Sequence, residues 1–418
     1  MKKNRNLIGI LMIFTLFFSL FYGNINAANF LYSTNSSKTN TNVESSISTD
    51  NEVPSFSFQS EAQILVEPTT GQVLYANNEN EKLLPASVTK VMTLLLIMEK
   101  IDSGALKYTD TVTCSANASK MGGSQIWFKE GETLTIDEAL KAIAVVSAND
   151  VTVAMAELLG GSEENFVSQM NKKAAELGMT NTHFMNSHGI DEDDHYTTAK
   201  DIAIMSMELI NKHPDILKYT SIWMDTLRNG TFALSSTNKL IRFYDGATGL
   251  KTGSTSKALF NLSATATRKG TTFLAVVMKA PSSDIRLQET KQLLDYGFAT
   301  YETRKIIEKD VLVGELSLNK CIGKKTNIYI KDDVCTLLKK GETIETEEKV
   351  NYIENLAAPL NASSKVGTIE IYNKSTGTLL GSSDLIIKED IKKANFVDYL
   401  NATFKYYIIN KESNTTFN

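Results

Sequence analysis

Residues 88–101 constrain this chain more than any other stretch. Val91, Met92, Leu94, Leu95, Leu96, Ile97 and Met98 leave a helix there with apolar side chains on nearly every face. A helix hydrophobic all round belongs at the centre of a folded domain. Leu84-Pro85-Ala86-Ser87 stands at its head, and Lys90 is the charge of its first turn. Helix starts present free N–H groups and a dipole that favours negative charge. Ser87 and Lys90, three residues apart, share one face. Burial disfavours the charged form of a lysine, and a neutral amine beside a hydroxyl can act as its base. The pair is therefore a candidate nucleophile and general base.

Two further motifs offer partners. Ser147-Ala148-Asn149 falls between helical patterns at 136–146 and 151–159. In such a turn Ser147 can relay protons to or from a leaving amine, and Asn149 can hold a substrate amide and Lys90. Helix capping is the plain alternative. Lys251-Thr252-Gly253 opens a strand leading to a hairpin at 263–277. A lysine and a hydroxyl on an edge strand suit a substrate carboxylate, and Gly253 admits close backbone approach. A surface strand with a turn is the plain alternative. Each motif alone is weak, because Ser254-Thr255-Ser256-Lys257 and Ser115-Ala116-Asn117 repeat two of the patterns. Ser254 falls on an expected strand, where residues three apart point to opposite faces.

The length, 418 residues, calls for more than one domain. With a net charge of −5 and no basic stripe, a nucleic-acid binder is excluded. Lys2, Lys3 and Arg5 precede an apolar run at 7–22 and small residues ending in Ala27-Ala28. That order predicts a signal peptide over 1–28, with an uncleaved anchor as the alternative. Residues 29–57, rich in Ser, Thr and Asn, read as a disordered linker. Helices and an antiparallel sheet at 58–303 give an α+β domain. Short strand-like runs at 311–318, 327–330, 366–372 and 379–387 give an all-β domain over 304–392. Over 393–418 an amphipathic segment places Phe396, Val397, Leu400, Phe404, Tyr407 and Ile408 on one helical face, suited to the β domain or to a membrane surface. Cys114, Cys321 and Cys335 are too few for a disulfide scaffold, and a Cys321–Cys335 pair or three free thiols fit equally. No cofactor or metal is called for. His183, His188 and His195, with Asp191 and Asp194, form the one His/Asp cluster, and their spacing matches no H-E-x-x-H pattern.

In this order the three motifs resemble the signature of penicillin-binding proteins and serine β-lactamases. Leu84-Pro85-Ala86-Ser87-Val88-Thr89-Lys90-Val91-Met92-Thr93, Ser147-Ala148-Asn149-Asp150, His183-Phe184-Met185-Asn186-Ser187-His188-Gly189-Ile190-Asp191 and Tyr196-Thr197-Thr198-Ala199-Lys200-Asp201 narrow the likeness. They resemble the low-molecular-mass D-alanyl-D-alanine carboxypeptidases. That resemblance implies an antiparallel sheet flanked by helices, a small β domain behind it, and an exported enzyme at the outer face of the cytoplasmic membrane or in the wall. It implies that Ser87 attacks the D-Ala-D-Ala carbonyl of peptidoglycan stem peptides, with Lys90 as general base. Ser147 and Lys251 would then assist proton transfer and docking, and Asn149 would position substrate. Backbone N–H groups of Ser87 and Ser254 would form the oxyanion hole, with Gly253 giving access. Thr252 and Arg286 would receive the terminal carboxylate. β-Lactams would bind covalently as inhibitors, and the C-terminal segment would meet the membrane surface.

Three rivals stand against this reading. A serine β-lactamase of the commonest class needs a deacylating glutamate, and 183–189 offers none. A zinc peptidase would rest on the His/Asp cluster. A silent wall-binding protein on the same fold would have no use for Ser87, Lys90 and Lys251.

Overall fold

The computed structural model describes residues 55–321, 325–401 and 403–404. The expected leader and most of the expected linker lie outside the described residues. Strands β1 (Ala62–Glu67) and β2 (Gln72–Asn77) form an antiparallel hairpin. A 3-10 turn over Ala86–Thr89 then runs into helix α1 (Lys90–Asp102). Ser87 thus sits in a tighter turn just ahead of the α-helix, at its head as expected. Residues 90–98 of α1 are all buried, as the all-round apolar pattern demands.

Two small strands, β3 (Thr111–Thr113) and β4 (Thr133–Thr135), precede α2 (Ile136–Val146). A reciprocal capping box fixes the start of α2: Glu138 N–H donates to Thr135 Oγ1, and Thr135 N–H donates to Glu138 Oε2. Helices α3 (Asn149–Gly160), α4 (Glu163–Glu176) and α5 (Ala199–Lys212) complete the helical lobe. A hairpin of β5 (Met224–Leu227) and β6 (Phe232–Ser235) leads to β7 (Ala247–Thr255), β8 (Leu259–Arg268) and β9 (Thr271–Ala280).

The central sheet runs β2-β1-β9-β8-β7, antiparallel throughout, with β7 on one edge. Its two-residue period divides the core. Ile64, Val66, Leu274, Val276 and Met278 pack with α1 and the helical lobe. Leu65, Phe273, Ala275 and Val277 face Leu293, Leu294 and Phe298 of α6 (Ser283–Thr300). Each of the larger side chains among them contributes about 1.5–3 kcal/mol on burial. The sheet is therefore a rigid platform that fixes β7 relative to the head of α1.

Strands β10 (Tyr301–Ile307), β11 (Leu312–Ser317), β12 (Lys325–Ile330), β13 (Val334–Lys339), β14 (Thr346–Tyr352), β15 (Lys365–Asn373) and β16 (Leu379–Ile386) follow. They make a two-stranded ladder, β10-β13, and a five-stranded sheet ordered β11-β12-β16-β15-β14 over a core including Ile328, Val366, Ile371 and Leu385. Not all of these strands can be read from apolar runs. Strand β14, Thr-Glu-Glu-Lys-Val-Asn-Tyr, is an exposed edge with no apolar alternation. Strand β10 leaves α6 without a turn signal and pairs with β13, so the expected division at 303/304 falls inside a strand. The three cysteines are free, so Cys321 and Cys335 are not bridged. Residues 396–401 are helical, while Tyr407 and Ile408 lie outside the described residues. Among the described residues no helix is long and apolar enough to cross a membrane.

Candidate active site

The fold brings the three motifs together. Lys90 is fully buried, and its Nζ lies 3.0 Å from Ser87 Oγ, 2.7 Å from Asn149 Oδ1 and 2.6 Å from the carbonyl oxygen of His188. The last two are obligate acceptors. They engage two N–H groups, which are all that a neutral amine has, and leave its lone pair for the Ser87 hydroxyl. Burial lowers the Lys90 pKa well below that of an ordinary lysine, and the nearby Lys251 lowers it further; Asp150 opposes the shift. The geometry and the electrostatics thus favour the same protonation state.

Ser147 is the C-cap of α2, with a left-handed φ of 64°. Its Oγ is buried and without a hydrogen-bond partner among the described residues. A non-glycine residue in that conformation costs on the order of 1–3 kcal/mol and marks a position held by its surroundings. Plain capping does not account for this turn: the N-cap of α3 is Ala148, with no side-chain bond. Instead Asn149 Nδ2 donates to Gly122 O at 2.8 Å, and Asn149 N–H donates to Ser124 O at 2.7 Å. The buried Asp150 carboxylate accepts from the backbone N–H groups of Ile126 (3.1 Å) and Phe128 (2.9 Å). The asparagine is thereby locked between Lys90 and the 122–128 loop.

On the opposite wall, β7 carries Lys251, Thr252 and Gly253, all buried, and Ser254, exposed. A Cβ on Gly253 would lie 2.7 Å from Pro85 O and 2.9 Å from Ser87 N, so only glycine lets this strand reach the turn that carries Ser87. Lys251 Nζ donates to Thr252 O at 2.7 Å. Thr252 Oγ1 lies 2.7 Å from Thr237 Oγ1. Burial, and then the charge of Arg286, bring the Lys251 pKa down to about 7. Arg286 is itself buried at the start of α6. Its Nη1 donates to Asn261 O at 3.2 Å, and its Nε has no partner among the described residues. Two buried basic side chains thus stand close together, an arrangement that favours an incoming anion.

The histidines expected as a cluster serve separate ends. His195 Nδ1 accepts from Met185 N–H, so its Nε2 donates to Thr89 Oγ1 at 2.8 Å. His183 Nδ1 lies against Asp194 O, and Asp191 accepts from Thr255 Oγ1. Among the described residues no group of His, Cys, Asp and Glu side chains is arranged to hold a metal. Burial lowers the pKa of His188 to about 3 and that of His195 to about 4, so these two imidazoles are neutral. Ser254-Thr255-Ser256-Lys257 forms no counterpart of the Ser87–Lys90 pair, because Ser254 lies on β7 and Lys257 is exposed in the following turn.

Five contributors carry no chemical signal of their own in the sequence. Four of them are the carbonyl of His188, Gly189 beneath the turn that carries Ser87, Asp150, and Thr237. Glu163 belongs with them: from the first turn of α4 it accepts from Ser187 N–H and Oγ–H, at 3.1 and 2.6 Å.

Known proteins carry the same arrangement of domains. Residues 47–282 match the family described as D-alanyl-D-alanine carboxypeptidase (Peptidase S11), and residues 301–393 match the penicillin-binding protein 5 C-terminal domain. The chain is 41% identical to D-alanyl-D-alanine carboxypeptidase DacF of Bacillus subtilis, over 82% of this chain and 89% of the relative. It is 30% identical to DacA of Escherichia coli over 83% of this chain and 88% of the relative. Penicillin binding protein 5 from Haemophilus influenzae superposes with a TM-score of 0.65 at 28% identity, covering 81% of this chain and 99% of that one. Penicillin-Binding Protein D2 from Listeria monocytogenes, solved in an ampicillin-bound form, superposes with a TM-score of 0.54 at 29% identity, over 59% of this chain and 100% of that one. From sequence, domain order and fold alike, this chain belongs to the serine-type D-alanyl-D-alanine carboxypeptidases of the penicillin-binding protein family.

Proposed function

We propose that Ser87 is the nucleophile of this carboxypeptidase and Lys90 its general base. The observation that carries the proposal is the buried Lys90 amine, which has two carbonyl acceptors and one serine hydroxyl around it. Ser87 Oγ attacks the carbonyl carbon between the two D-alanines while its proton passes to Lys90 Nζ. Charge develops on the carbonyl oxygen, and the backbone N–H groups of Ser87 and Ser254 stabilise it. Collapse breaks the C–N bond. The departing D-alanine amine takes a proton through Ser147, whose hydroxyl, without a partner among the described residues, suits that relay. Asn149 holds the substrate amide, Thr252 and Lys251 dock the terminal carboxylate, and Arg286 reinforces them. Water then releases the acyl-enzyme. A β-lactam follows the same first steps and stays attached as an acyl-enzyme.

The D-alanine release assay tests this reading. The protein lacking residues 1–28 should release D-alanine from diacetyl-L-Lys-D-Ala-D-Ala, and Ser87→Ala should abolish release. Equal release by both proteins would exclude Ser87.

The finer reading of location is the outer face of the cytoplasmic membrane, after removal of residues 1–28. Exposed Phe396, Val397, Leu400 and Phe404 support it, as an apolar face suited to a bilayer surface. Deleting 393–418 should release the protein from sedimenting lipid vesicles. Undiminished co-sedimentation of the truncated protein would rule this segment out as the anchor.

A further inference from the structure

Trp127 is 65% exposed, and its backbone adopts a left-handed φ of 53°. Both features are costly, and the structure enforces them. The residues on either side, Ile126 and Phe128, each donate a backbone N–H to the buried Asp150 carboxylate. From the other wall Arg228 donates through Nη1 to Ile126 O at 3.0 Å and through Nη2 to Trp127 O at 3.3 Å. Glu132 holds that arginine, with 2.6 Å between Oε1 and Nε. The indole packs against Phe232 of β6, ring centroids 6.0 Å apart, and the Arg228 guanidinium lies over the same phenyl ring. Trp127 is therefore displayed on a fixed mount.

The mount is continuous with the catalytic cleft. Asp150, which pins the loop, follows Asn149, whose Oδ1 lies against Lys90. The hairpin that carries Phe232 leads within a few residues to Thr237, the partner of Thr252. The platform is also electrically quiet, because Glu132 neutralises Arg228. A flat, neutral aromatic face suits a neutral ring with an apolar C–H face better than a peptide segment bearing carboxylates and an amine. In peptidoglycan that ring is the N-acetylated amino sugar. It is joined to the stem four residues before the scissile bond, a reach of about 13 Å in extended chain.

We propose that Trp127, seated on Phe232, is a subsite that stacks the amino sugar bearing the stem peptide, so that the enzyme favours stems still attached to glycan. This rests on the carboxypeptidase reading of the Ser87 cleft.

The test compares kcat/KM for D-alanine release from the free pentapeptide and from N-acetylglucosaminyl-N-acetylmuramyl pentapeptide. The wild type should prefer the glycan-bearing substrate, and Trp127→Ala should reduce that preference about tenfold, with Trp127→Phe recovering part of it. In Ser87→Ala protein the same disaccharide peptide should quench tryptophan emission, since Trp223 is the one other indole in the chain. A preference unmoved by Trp127→Ala overturns the subsite, as does an equal loss on both substrates, which would place Trp127 against the peptide. If the wild type releases no D-alanine from either substrate, it is the carboxypeptidase reading that fails.

Discussion

Replacing Lys90 by methionine should slow acylation of Ser87 about a thousandfold, within the range general-base catalysis supplies. Methionine fills the fully buried position with little change in volume. The variant therefore removes the amine while keeping the helix head packed. It also strands two buried acceptors, Asn149 Oδ1 and the His188 carbonyl, at about 1–3 kcal/mol each. A lower melting temperature should accompany the lost activity. The pH dependence gives a second readout. Burial and Lys251 lower the Lys90 pKa, so in the wild type the neutral, basic form persists to lower pH than for an ordinary lysine. Acylation by the wild type should rise with pH as that proton is lost, and the rising limb should vanish in Lys90→Met. On the alkaline side Lys251, at about 7, loses the charge proposed to dock the carboxylate, so kcat/KM should fall again. Acylation by Lys90→Met within tenfold of wild type would sink the assignment of the base.

Gly189→Ala should be almost as damaging, although Gly189 bears no functional group. Its φ is +90°, and an added Cβ would overlap Ala86 O and fall 2.8 Å from Thr89 Oγ1. Those atoms are backbone and side chain of the 3-10 turn that holds Ser87. The neighbouring His188 carbonyl is also an acceptor for Lys90. An alanine must therefore push the segment away from the nucleophile turn and lengthen the Lys90 contact together. We expect a loss of about 2–4 kcal/mol in stability and roughly a hundredfold in acylation, the scale of a 1 Å misplacement of reacting groups. Thermal melts and a penicillin-labelling time course measure the two losses. Wild-type labelling by Gly189→Ala would mean that the 186–190 segment does not set the geometry of Ser87.

The contrast between these two positions shows which residues a sequence makes legible. Lys90 stands out because its chemistry is local: a charge three residues after a serine, at the head of a helix with no polar face, has little structural use. The turn at 147–149 and the Lys251 strand are legible for a similar reason, each being a short motif at the end of a periodic element. Gly189, Asp150 and Thr237 act through partners far along the chain. Asp150 reaches back 22 residues to Phe128, Thr237 forward 15 to Thr252, and the Gly189 segment some 100 to Ala86. Periodicity carries no trace of such pairings. The β domain follows the same rule: strands with buried alternating side chains stand out, whereas the charged edge strand at 346–352 does not. Arg286 lies between these cases, since its spacing after the hairpin suggests a role but only the fold places it beside Lys251.

Everything proposed for the cleft depends on one serine of this chain, Ser87, becoming acylated. Mass mapping of the adduct formed with benzylpenicillin examines that step without a coupled assay. A single covalent addition per chain is expected, located on the peptide that contains Ser87 and absent from Ser87→Ala. An adduct on Ser254 or Ser147, or none at all on a folded protein, would contradict the assignment.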